Sequence, residues 1–320
     1  MNLLQYQAKA PFSQNHLLTL QDYSADEIFQ VLSLALRLKS DLKNGKSHDL
    51  CRGKILALIF AKSSTRTRVS FESGFYQLGG YPMFLSNNDT QLGRGEPIED
   101  TARVLGRMVN GIMIRTYQQS DVETLAQYSG IPVINGLTDD FHPCQVLADL
   151  QTYYETFGDF KGKLAFVGDG NNMAHSLLIG CSKIGLDVAI ASPKDYQPNE
   201  KIIAWARENA DISGSQVLIT EDPIEAVQGA TCVYTDVWAS MGQEKEQKKR
   251  EAAFASFQVD DTLLKHADPR FIFMHCLPAH RGEEVSASVC DGSHSIIFDE
   301  AENRLHAQKA VMALLMGHQS

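Results

Sequence analysis

Two doubly wound parallel-sheet domains of the α/β class are what this chain predicts, on three observations. Strand-like apolar runs alternate with helix-patterned segments along nearly the whole length, the signature of parallel sheets covered by helices. A buried run, 55–60, breaks into a polar turn and resumes as a helix. A second such unit opens near residue 163, and 320 residues is the length of two ordinary domains.

In the first half, the strand candidates are Ile55–Phe60, Tyr81–Leu85, Gly111–Arg115 and Pro132–Asn135. Apolar residues three and four apart predict helices over Ala25–Leu42, with Ser24 as cap, over Val69–Leu78, over Thr101–Met108, and over Cys144–Phe157 behind Pro143. In the second half, Lys163–Val167, the turn Gly168-Asp169-Gly170, a helix from Asn172 to Ile184 and the strand Asp187–Ala191 make a βαβ unit. Further strands are expected at Gln216–Thr220, Thr231–Thr235, Phe271–His275 and Ile296–Phe298, and an amphipathic helix at Glu300–Leu315. Glu244 to Glu251 is a charge run that reads as a solvated helix or a mobile loop. Gly158 and its polar neighbours put the domain junction near 157–161, giving domains of 1–157 and 158–300.

Composition narrows the function. A formal charge of −10 argues against a nucleic-acid partner, whose phosphates most of this surface would repel. No basic start precedes an apolar core, and no run approaches the roughly 20 apolar residues that span a bilayer, so the expectation is a cytoplasmic protein without a membrane partner. Six scattered cysteines without Cys-x-x-Cys spacing fit reduced thiols.

Chemistry concentrates at three places. Ser63-Ser64-Thr65-Arg66-Thr67-Arg68, where the first strand meets a helix, reads as an anion cradle: unpaired N–H groups and the positive helix end favour phosphate, and guanidinium groups pair with its oxygens in a two-pronged geometry. Ordinary helix capping by Ser and Thr is the alternative there. His142-Pro143-Cys144-Gln145 and His275-Cys276-Leu277-Pro278 stand where strands end, the ligand side of open parallel sheets. A metal on His142, Cys144, His275 and Cys276 lacks the paired spacing of zinc sites, so neither metal nor cofactor is expected. The turn at 168–173 fails as a dinucleotide fingerprint, because Met173 replaces the third glycine and no carboxylate ends the next strand. Its amides, Asn171 and Asn172, either cap the helix or bind a carboxylate or an amine.

Taken in order, Ser64-Thr65-Arg66-Thr67-Arg68, His142-Pro143-Cys144-Gln145 and His275-Cys276-Leu277-Pro278 resemble the motifs of the transcarbamoylases. Asp236-Val237-Trp238-Ala239-Ser240-Met241-Gly242 resembles the acceptor loop of the ornithine carbamoyltransferases within that group. The resemblance implies the transcarbamoylase fold, with the C-terminal helix, 301–320, packing back on the first domain. It implies carbamoyl phosphate held by Ser64, Thr65, Arg66, Thr67, Arg115, His142, Gln145, Cys276, Leu277 and Arg304, with Arg66, Arg115, His142 and Cys276 catalytic. Ornithine would meet Asn172, Asp236, Ser240 and Met241, with Asn171 against Asn172 left open. Gln91 would enter a neighbour's site in a homotrimer or an assembly of trimers. Another amine acceptor, such as acetylornithine or putrescine, and a non-catalytic phosphometabolite-binding relative remain the alternatives.

Overall fold

All nine strands of the described residues pair in parallel, in two separate sheets. The computed structural model describes residues 2–86, 91–239 and 246–317. Its chain divides into two units, one running to Gln151 and taking up the residues from Glu302 onward, the other covering Thr152–Ala301.

The first unit opens with α1 (Ala25–Lys43), started by a reciprocal cap in which Ser24 Oγ accepts from the Glu27 N–H while Glu27 accepts from the Ser24 N–H. There follow β1 (Ile55–Phe60), α2 (Thr65–Gln77), β2 (Tyr81–Ser86), α3 (Ile98–Leu105), β3 (Gly111–Arg115), α4 (Gln119–Ser129), β4 (Val133–Leu137) and α5 (Pro143–Phe157). The sheet order is β2-β1-β3-β4. Inner strands are covered on both faces, which is why β1 is an unbroken apolar run rather than an alternating one. Ile59, Ile112, Ile114, Val122, Leu125 and Val133 form one core layer. Strand order reverses between β1 and β3, so the crevice at their carboxyl ends is the natural ligand position of this sheet.

The second unit holds β5 (Lys163–Val167), α6 (Asn172–Ile184), β6 (Asp187–Ala191), α7 (Glu200–Ser213), β7 (Val217–Thr220), α8 (Pro223–Val227), β8 (Cys232–Thr235), α9 (Gln247–Phe254), β9 (Ile272–His275) and α10 (Ala287–Cys290). Its order is β7-β6-β5-β8-β9, with the reversal between β5 and β8. The last helix, α11 (Ile297–Met316), starts in this unit, and its residues from Glu302 belong to the first. No described helix is long and apolar enough to cross a membrane.

Three expectations are corrected. Ile296–Phe298 is not a strand: Ile296 N–H makes one sheet-like bond to the Phe273 carbonyl at 3.0 Å, and α11 then begins. Asp299 and Glu300 in its first turn complement the positive helix end, which outweighs the strand preference of the two isoleucines. The second helix starts at Thr65 rather than Val69, because Ser64 Oγ accepts the Thr67 N–H at 3.2 Å and so recruits the polar turn into the helix. Within the charged run, α9 forms from Gln247 as the solvated helix expected, with Gln247, Lys248 and Lys249 exposed; the correction is confined to Arg250, which is buried.

Candidate active site

At the carboxyl ends of β1 and β3 the first unit gathers its cations. The Ala61 N–H donates to the Arg115 carbonyl at 2.9 Å, locking the strand ends together. Ser64 caps α2 and donates its own hydroxyl to Thr67 Oγ1 at 3.1 Å. Thr65 is exposed, Arg66 and Arg115 are half-buried, and Thr67 is buried. A hollow of about 480 Å³, lined by Phe60, Ala61, Ser63, Ser64, Thr65 and Arg68 among others, opens beside them.

Buried polar groups brace this cradle. Arg304 on α11 donates to Gln145 Oε1 at 2.6 Å, to Thr67 Oγ1 at 3.3 Å and to Gln308 Oε1 at 2.9 Å. The Gln145 amide nitrogen donates to Asp149 Oδ1 at 2.9 Å. His142 precedes α5, and its imidazole is held well below the usual histidine range, first by burial and then by the charges of Arg304, Arg115 and Arg66. Three guanidinium groups therefore act on one neutral ring. Such a place favours a compact dianion and offers an imidazole N–H to an oxygen that gains charge.

The second unit builds its polar cluster at the β5/β8 reversal. Asp236 follows β8 and is 7% exposed. Its Oδ1 accepts the Val237 N–H at 2.8 Å and the Cys276 thiol at 3.1 Å; its Oδ2 accepts the Asn171 amide at 3.0 Å. Asn171 is also the α6 cap, its Oδ1 accepting from Met173 N at 2.9 Å, so the capping role is filled by Asn171 while its NH₂ holds Asp236. Asn172 is the first residue of α6 and is half-buried. Gly170 packs against the backbone of Gln197 and Pro198 so closely that no Cβ fits; the glycine serves this contact, not a pyrophosphate. Cys276 and Leu277 follow β9, half-buried. Both ring nitrogens of His275 have protein partners, Leu277 N and Glu284 Oε1, which disfavours a metal on its cluster with Asp236 and Cys276.

Several site residues carried no sequence signal. Lys62, buried and ion-paired with Asp139, lies 4.2 Å from the Tyr117 ring centre, adding a cation at the end of β1. Asp169 and Arg250 form a buried pair at 2.6 Å, and Arg250 also donates to the Trp238 carbonyl at 2.9 Å. Burial lifts the Asp169 carboxyl to about 6 despite the opposing charge of Arg250. Gln91 is exposed, in a short helical turn of residues 91–94. Ser240 and Met241 lie outside the described residues.

Comparison with known proteins decides the family. Residues 15–155 match the family model of the aspartate/ornithine carbamoyltransferase carbamoyl-P binding domain, and residues 161–315 match that of the Asp/Orn binding domain. The chain belongs to the aspartate/ornithine carbamoyltransferase family. Among its members, the ornithine carbamoyltransferase of Carboxydothermus hydrogenoformans is 56% identical over 309 residues, 96% of this chain and 99% of that one. The anabolic ornithine carbamoyltransferase of Pyrococcus furiosus is 56% identical over 302 residues, 94% and 96% of the two chains. The solved ornithine carbamoyltransferase structure from Pyrococcus furiosus superposes with a TM-score of 0.94 at 54% identity, covering 97% of this chain and all of that one. This carbamoyltransferase chain therefore carries both family domains, each with its polar cluster at the reversal point of its own sheet.

Proposed function

We propose that this protein transfers the carbamoyl group of carbamoyl phosphate to the δ-amine of L-ornithine, giving L-citrulline and phosphate, in the anabolic direction that leads to arginine. The observation that carries the reading is the Asp236 cluster. A buried carboxylate ringed by an amide and a thiol suits an amino acid's ammonium group, and it stands in the domain whose family model binds aspartate or ornithine.

On this reading Ser64, Thr65, Arg66 and Thr67 hold the phosphate and Arg115 spans a phosphate oxygen and the carbamoyl oxygen. His142 donates its ring N–H to that same oxygen as charge develops on it. Arg304 fixes Thr67 and Gln145, and the second lone pair of the Gln145 amide oxygen accepts from the carbamoyl NH₂, as does the Leu277 carbonyl. Asp236 pairs with the ornithine α-ammonium, while Asn172 takes its carboxylate and so aims the δ-nitrogen. An amine of pKa near 10.4 loses its proton at pH 7 at a cost of about 4–5 kcal/mol. Cys276, close to Asp236, is the group we assign to ease that loss. Attack on the carbonyl carbon gives a tetrahedral intermediate, whose collapse breaks the C–O bond and expels phosphate.

Self-association belongs to the same reading: a homotrimer in which Gln91 serves a neighbouring site. Val69, Tyr76 and Tyr81, exposed by 55–76% on α2 and β2, support an apolar contact face there. Six free thiols, five of them buried, support a reducing, cytoplasmic setting. The test is formation of the matching carbamoylated amine (citrulline where ornithine is the acceptor) by purified protein given carbamoyl phosphate with ornithine, acetylornithine, putrescine or aspartate in turn. Product with ornithine alone is expected; no citrulline, or a preference for another amine, refutes the assignment.

A further inference from the structure

Next to the Leu277 backbone lies an imidazole–carboxylate pair with no part in the steps above. His275 ends β9, and neither its side chain nor that of Glu284 is exposed at all, 0% for each. His275 Nε2 is 3.1 Å from Glu284 Oε1, and the same oxygen accepts the backbone N–H of His280 at 2.6 Å. On the far side of the ring, the Leu277 N–H is 2.9 Å from Nδ1. A backbone amide only donates, so Nδ1 is a bare acceptor and the ring hydrogen sits on Nε2, directed at Glu284. In the opposite tautomer two N–H groups would face each other at Leu277.

What the ring supports is an unusual backbone. Leu277 has φ +57°, the left-handed region, which costs an ordinary side chain about 1–2 kcal/mol and persists only where neighbours hold it. The ring of His275 does so from two residues upstream. His275 is itself fixed from behind, since its N–H donates to Glu300 Oε2 at 2.9 Å while Glu300 Oε1 accepts the Tyr234 hydroxyl at 2.8 Å.

We infer that Glu284 and His275 are positioning residues for carbamoyl transfer: Glu284, through the Nε2 hydrogen, sets the ring that holds Leu277 turned, and so aims the Leu277 carbonyl and the neighbouring Cys276 thiol. The inference rests on the carbamoyl-transfer reading above. Glu284 touches no reacting group; it acts through His275.

Two variants separate aim from simple stability. In His275→Asn the amide oxygen stands near the place of Nδ1, keeping the Leu277 bond and abandoning Glu284. In His275→Gln the amide reaches the place of Nε2, keeping Glu284 and abandoning Leu277. A purely structural pair makes His275→Gln the better enzyme and the more stable one, because a buried carboxylate is dearer to strand than one backbone N–H. Positioning reverses the first ranking only: His275→Asn melts lower yet keeps a kcat about tenfold above His275→Gln, the size of one hydrogen bond lost in the transition state. A kcat for His275→Gln equal to or above that of His275→Asn overturns the inference. Should either variant fail to fold, NMR of the imidazole nitrogens in the unaltered protein decides: a bare Nδ1 and a protonated Nε2 support it, and the other tautomer overturns it. Absence of citrulline from the unaltered protein counts against the functional reading alone, since the tautomer is read without turnover.

Discussion

Replacing Asp236 by asparagine tests the acceptor side most sharply, because every partner of that carboxylate is defined. Asparagine keeps one oxygen and gains an NH₂. Turned toward Asn171, the NH₂ meets a second NH₂, and Asn171 cannot flip to answer it without giving up the α6 cap at Met173. Turned the other way, it opposes the Val237 N–H and the Cys276 thiol. The first orientation gives up one buried bond and the second opposes two donors, so at least one bond is lost, about 1–2 kcal/mol of stability. Binding suffers more. Removing one member of a desolvated, hydrogen-bonded charge pair costs about 2–5 kcal/mol, and a cluster that water can reach lies in the lower half of that range. At 1.4 kcal/mol per decade, the expected loss in kcat/KM for ornithine is roughly 30- to 300-fold. The assay is the initial rate of citrulline formation at saturating carbamoyl phosphate, with calorimetric titration of inorganic phosphate and thermal melting as controls. Phosphate affinity should stay as it was. A folded Asp236→Asn protein within about threefold of the original kcat/KM refutes the ammonium contact; a parallel loss of phosphate affinity refutes the division of substrates between the two domains.

Arg66→Ala should remove nearly all turnover while shifting the melting curve little, because a half-buried arginine at a helix start contributes little to the core; retained turnover rejects the phosphate cradle. Cys276→Ser should lower kcat and move its pH profile, and an unmoved profile takes the thiol out of proton transfer. Stability should fall as the pH drops below about 6.5. The His142 and His306 rings are both held below that value, His306 at about 4, so the unfolded chain takes up protons that the folded one refuses. For His306 alone the loss between pH 6.5 and 4 reaches about 3 kcal/mol, and urea unfolding across that range should flatten in His306→Gln. Asp169, raised to about 6, works the other way, because below that pH the folded state takes its proton first. Asp169→Asn should therefore steepen the acid loss, a change visible in the same unfolding series.

Fold and site were legible in the sequence to different degrees. β1, β3, β5 and β6 fall on the expected residues because inner parallel strands are continuous apolar runs with abrupt polar ends. Ile296–Phe298 resembles a strand for the converse reason: a short β-branched run has no period of its own, and the acidic turn after it settles the matter. The cradle was visible because its hydroxyls and guanidinium groups are contiguous in sequence. Arg304 could be placed only by resemblance; its bonds to Gln145 and Thr67 span 159 and 237 residues. Arg250 reads as one more charge in a charged run, and nothing in the sequence marks Glu284, yet both are buried. Only the fold reveals that a charged residue has found an interior partner.

Arg304 also has a bearing on how the chain comes off the ribosome. Lys39, Gln77, Gln145 and Gln151 all make hydrogen bonds to α11 residues beyond Glu302. The whole of Thr152–Ala301 is synthesised in between, about 8–30 s of elongation. The amino-terminal half must wait through that interval without its last helix, so the order of birth is not the order of completion. A nascent chain stalled just before Glu302 should bind phosphate poorly and be cut readily by protease, however well the middle of the protein has already folded.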